Sequence, residues 1–190
     1  MFERLDPSRR LHIAATVVGL TTITSWRLGM VWQLPAYLAL ATLLVPLSVI
    51  DLDTKTLPRP LVYAIALSGL LLLVPAALLA GEPKRIWWGV IGAVGALVVL
   101  WFLYATARGR FGFGDVRLGA VLGGHLGWLG LRFVPVGIFL GFVLASVAGV
   151  ALIVSNRATR NSSVPFGPFL AAGALVTIVA GQPLVDAMLR

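Results

Sequence analysis

Seven long apolar runs constrain this chain more tightly than any motif in it. They extend from Leu11 to Trp26, Val31 to Ile50, Pro60 to Ala80, Ile86 to Ala105, Asp115 to Leu131, Val134 to Val154 and Val164 to Gly181. A helix rising about 1.5 Å per residue needs roughly 20 apolar residues to cross a bilayer core of about 30 Å, and each run is near that length. Turn-forming and charged clusters separate them, such as Gly81-Glu82-Pro83-Lys84-Arg85. Charged residues make up 12% of the chain, against about 25% in a soluble domain, which excludes an ordinary soluble fold, and with 59% hydrophobic residues the chain is too apolar to be disordered. With no Cys, a disulfide scaffold and a thiolate metal site are excluded too. The expected architecture is all-α: a polytopic membrane bundle of about seven transmembrane helices, forming one integral membrane domain over residues 1–190.

The net charge of +8 then reads as Lys and Arg held in cytosolic loops beside anionic membrane lipids, and no nucleic-acid partner is expected. With the N-terminus cytosolic, ten bases lie inside: Arg4, Arg9, Arg10, Lys55, Arg59, Arg108, Arg110, Arg117, Arg157 and Arg160. Five lie outside: Arg27, Lys84, Arg85, Arg132 and Arg190. That bias sets the orientation. Trp26, Trp32, Trp87, Trp88 and Trp128 then fall at outer span ends, as an aromatic belt would, and Trp101 lies elsewhere. The first run lacks a small-x-small cleavage site at Thr24-Ser25-Trp26-Arg27, so it is expected to be a retained helix. Gly119, Gly123 and Gly127, and likewise Gly137, Gly141, Ala145 and Gly149, recur every four residues, a spacing that lets helices approach closely in lipid. No internal repeat is visible.

Seven acids remain to be placed. Glu3, Asp6, Glu82 and Asp186 fall in tails or the outer loop. Asp51, with Asp53 two residues on, sits where the second span meets the cytosol, and Asp115 opens the fifth span at the same face. An ionisable group at the hydrocarbon edge is costly and marks a functional site when it faces a bundle interior. Two carboxyls brought close cannot both ionise cheaply, so they share a proton. One then activates water while the other donates to a carbonyl, without metal, cofactor or covalent nucleophile. Simpler roles stand beside this one: Asp51 or Asp53 as the end of a helix before Pro58-Arg59-Pro60, and Asp115 as a helix cap. His12 and His125 form no HExxH pattern and no G-x-S-x-G occurs, so zinc and serine hydrolysis have no sequence support. His125 is expected to pack between helices.

The combined motifs are more specific. Ile50-Asp51-Leu52-Asp53-Thr54-Lys55-Thr56-Leu57-Pro58, followed by Gly112-Phe113-Gly114-Asp115-Val116-Arg117-Leu118, resembles the type IV prepilin peptidase family of GxGD membrane aspartyl proteases. In that family an Asp at a span end precedes a Pro by seven positions, and GxGD is followed by a residue, a base and Leu. Val164-Pro165-Phe166-Gly167-Pro168-Phe169-Leu170 is similar to a further stretch often present in the family. The resemblance implies Asp51 and Asp115 as the catalytic pair, Asp53 as a neighbour, and Pro58, Gly112, Gly114 and Arg117 as motif or substrate-binding support. Arg117 stands where many members have Lys, keeping the charge but changing its shape.

It also implies a substrate. Family members cut a short basic leader from prepilin-like precursors at the cytosolic face of the cell membrane, just before an apolar helix; an archaellin-type precursor is a close alternative. Gly112 and Gly114 would let an extended substrate backbone approach, or simply form a helix-start turn. Longer members carry an N-terminal segment with paired Cys associated with N-methylation; about ten residues precede the first run here, so peptidase activity without methylation is the expectation. A proton-coupled transporter or a noncatalytic membrane scaffold would also hold paired acids. Transporters, however, place them near the midplane, often with repeat symmetry.

Overall fold

The computed structural model describes residues 7–29, 31–107, 111–155 and 165–189, and these form seven helices. In chain order they are α1 (Pro7–Leu28), α2 (Leu34–Thr54), α3 (Arg59–Leu79), α4 (Lys84–Thr106), α5 (Phe113–Leu129), α6 (Phe133–Val154) and α7 (Gly167–Leu189). Each corresponds to one apolar run. By length and composition, α2, α3, α4, α6 and α7 can each cross a membrane, which makes this a multi-pass membrane protein. Although their runs read as spans, α1 and α5 fall short by the same measure. α5 has 17 residues and carries Asp115, Arg117 and His125, while α1 holds polar Thr21, Thr22, Thr24 and Ser25. Of the bases used to set the orientation, Arg4, Arg9, Arg10, Arg108, Arg110, Arg157, Arg160 and Arg190 lie outside the described residues or side chains.

Two helix ends differ from the limits of the apolar runs. α2 continues past Ile50 to Thr54 because an Asp does not itself break a helix; Lys55 does so by adopting a left-handed conformation (φ 53°), its N–H donating to the Asp51 carbonyl at 2.8 Å. α7 passes Gly181, where φ is 65° and the helix kinks, and resumes through Pro183 to Leu189.

Small residues bring the helices together. A Cβ on Gly123 of α5 would lie 2.5 Å from the Gly92 carbonyl oxygen of α4, and one on Gly173 of α7 would lie 2.6 Å from the Gly137 oxygen of α6. The close approaches expected of Gly119, Gly123, Gly127, Gly137 and Gly141 are therefore present. Gly149 is different, since nothing lies within 4 Å of where its Cβ would be, and the packing stripe of α6 ends before it. Between the helices lies a core of Leu40, Leu44, Ile65, Leu100, Leu122 and Leu170. His125 is buried there, its Nδ1 2.9 Å from the Val121 carbonyl and its ring against Gly69, while the Tyr37 hydroxyl donates to the His125 carbonyl at 2.8 Å. Trp128 corrects the aromatic-belt expectation. It is 3% exposed and lies beside Gly89 of α4, inside the bundle. Trp26, Trp32 and Trp87 do face outward.

Candidate active site

Antiparallel threading puts the C-terminal end of α2, the turn to α3, and the N-terminal ends of α5 and α7 at one end of the bundle. There a cavity of about 370 Å³ is lined by Asp51, Asp115, Lys55, Arg59, Arg117, Phe111 to Gly114, Pro165 and Phe166. Two carboxyls 64 positions apart in sequence thus face one space. Both are buried, Asp51 at 4% and Asp115 at 7% exposure.

Their local settings differ. Asp51 lies one turn before the end of α2 and does not terminate it, so the helix-ending role does not account for it. Its Oδ2 is buried against the backbone of Gly167, at the start of α7. Asp115 is the third residue of α5. Its N–H donates to the Gly112 carbonyl at 3.1 Å, and its carboxyl folds back against the Gly112 backbone, so it caps the helix start while facing the cavity. No ion pair joins either carboxyl to a base among the described residues.

Asp53 is exposed and does not line the cavity. The physical reason is helical, not the loop position that the run limits implied: residues two apart on a helix point about 200° away from each other. Pro58 caps α3 and stands outside the cavity lining. Arg117 does line it, with its guanidinium 4.6 Å from the centre of the Phe113 ring. Gly112 is in extended backbone (φ −80°, ψ 137°), which any residue can adopt. Gly114 has a packing role, since a Cβ there would lie 3.1 Å from Leu57 Cβ.

Two residues not singled out from the motifs complete the geometry. Leu57, in the α2–α3 turn, wedges between the starts of α5 and α7. A Cβ on Gly167 would lie 2.6 Å from Asp51 Oδ2 and 3.1 Å from Leu57 Cδ2. Gly167→Ala should therefore displace the Asp51 carboxyl. Misplacing a reacting group by about 1 Å costs up to about 100-fold in rate, so the variant is expected to lose most turnover in a cleavage assay while its circular dichroism stays helical. Phe166 packs on Phe111 and Phe142, with ring centres 5.3 and 4.7 Å apart, and forms an aromatic wall.

Residues 38–154 match the family described as "Type IV leader peptidase family". A "Prepilin leader peptidase/N-methyltransferase" of Stutzerimonas stutzeri is 30% identical over 185 residues, covering 96% of this chain and 63% of the relative. One of the same description from Aeromonas salmonicida (strain A449) is 32% identical over 170 residues, covering 87% and 56%. One from Pseudomonas aeruginosa is 29% identical over 172 residues, covering 90% and 58%. The chain thus spans less than two thirds of the length of these curated relatives. No solved structure matches it.

Proposed function

Because the chain belongs to the type IV leader peptidase family, we propose that it is a membrane aspartic endopeptidase that removes the short basic leader from type IV prepilin-like precursors. In this reading residues 1–190 act as one peptidase domain in the cell membrane, with the carboxyl end of the bundle at the cytosolic face. Asp51 and Asp115 are the catalytic pair. The observation that carries it is that the two motif carboxyls, from distant parts of the chain, are buried in one cavity at one end of the bundle.

The chemistry is hydrolysis. The ionised carboxyl takes a proton from water, whose oxygen attacks the scissile carbonyl carbon, and the protonated carboxyl donates its proton to the carbonyl oxygen. Collapse of the tetrahedral intermediate breaks the C–N bond. The amine leaves with a proton, and the leader keeps the new carboxyl group. A cavity at the bundle end suits a substrate whose leader is in water and whose apolar helix is in lipid. Gly114 supports the site by letting the start of α5 close on Leu57, and Arg117 supports it from the cavity wall.

Coexpression with candidate prepilin-like precursors tests the reading. A shortened product is expected, with a new N-terminus just before the apolar helix, read by N-terminal sequencing. Precursors that stay intact throughout the panel would overturn it.

A further inference from the structure

A second cavity, of about 640 Å³, is a groove between α1 on one side and α2 and α7 on the other. Its walls are apolar, with Leu20 and Ile23 from α1, Leu44 from α2, and Ala172, Leu175 and Val176 from α7. Two of its polar groups are already satisfied within the protein. The Thr16 hydroxyl donates to the His12 carbonyl at 2.8 Å. At the far end, the Arg27 guanidinium donates to the carbonyls of Val179 and Ala180 at 2.7 and 3.0 Å, tying α1 to α7.

The groove ends beside the carboxyl site: no residue lines both cavities, but their walls adjoin on α2 and α7. On α2, Leu44, Ser48 and Asp51 follow spacings of four and three residues and so share one helix face; the first two line the groove and the third lines the carboxyl cavity. On α7, Pro168 opens the groove one residue after Gly167, whose backbone abuts the Asp51 carboxyl. From Pro168 to Ala180 it follows α7 for about 18 Å of helix.

We propose that this groove receives the apolar helix of the precursor, an uncharged segment of at least three turns lying in the bilayer against α7, with its leading end delivered to Asp51 and Asp115. The proposal rests on the peptidase reading. A substrate cut just before its apolar helix needs that helix held directly below the carboxyls. The shared α2 face and the junction at Gly167 and Pro168 provide this path, which is why a substrate segment is favoured over a lipid chain.

The test uses the full chain and two substrates, one precursor with its apolar helix and one short soluble peptide with the leader and cleavage site alone. Ala172→Phe should fill the groove. Overpacking of that kind is expected to raise KM for the precursor by about tenfold while cleavage of the peptide stays as in the wild type. The sequence contains no Cys, so single thiols report cleanly. With copper phenanthroline added as the oxidant, Val176→Cys should form a disulfide with a Cys in the precursor helix, and Val98→Cys, 58% exposed on α4, should not. Unchanged precursor cleavage by Ala172→Phe, or equal cross-linking at both thiols, overturns the groove and leaves the peptidase reading standing. A wild-type protein that cuts neither substrate overturns both. If Ala172→Phe fails to fold and loses the peptide activity too, the cross-linking comparison decides.

Discussion

Asp51→Asn and Asp115→Asn should each reduce leader cleavage by at least about 100-fold, the lower range for loss of a general acid or base, with membrane insertion and helix content unchanged. Asn preserves the shape of the side chain and removes the acid, so the buried cavity survives while proton transfer does not. Asp53→Asn should retain most of the activity, because its side chain is exposed and points off the helix face that carries Asp51. Processing rates of a precursor, measured beside circular dichroism, separate the three variants. A fully active Asp115→Asn protein would remove the protease mechanism.

The second large effect concerns stability. Gly123→Leu places a side chain where a Cβ alone would lie 2.5 Å from both the Gly92 oxygen and Ala96 Cβ. Backbone cannot yield there as a flexible side chain can. Overpacking costs typically about 1–3 kcal/mol and occasionally more, so the unfolding temperature in detergent should fall clearly, and cleavage with it, because α5 carries Asp115. Gly149→Leu, on the same kind of stripe but with open space around it, should leave the midpoint unchanged. Equal loss in both variants would mean that close helix approach at Gly123 is not what holds α5.

The number and order of helices were legible because a bilayer-length apolar run has few alternatives. Their ends were less so. The stop of α2 depends on Lys55 taking a left-handed conformation, and Lys carries no local signal for it, unlike the Gly or Asn that usually fill such positions. Trp128 looked interfacial from its place near a run end, yet it is buried against α4, a helix whose approach its own run does not reveal. The two carboxyls could be picked out because acids are so scarce in this chain. Gly167 could not be assigned its role in the same way: it is one of 21 glycines, and its importance exists only through contact with Leu57 and Asp51, which lie far away in sequence.

The cavity walls come from the end of α2, the turn after it, the start of α5 and the start of α7. No contiguous stretch of chain holds the site, and the segment bearing Pro165 and Phe166 is synthesised after both acids. A nascent chain that has inserted its first helices therefore carries one acid and no cleft, and one halted before α7 has both acids but an open wall. The cleft is walled on every side only once the start of α7 has packed against Leu57 and the end of α2, so the two acids meet their full surroundings late in the threading of these helices.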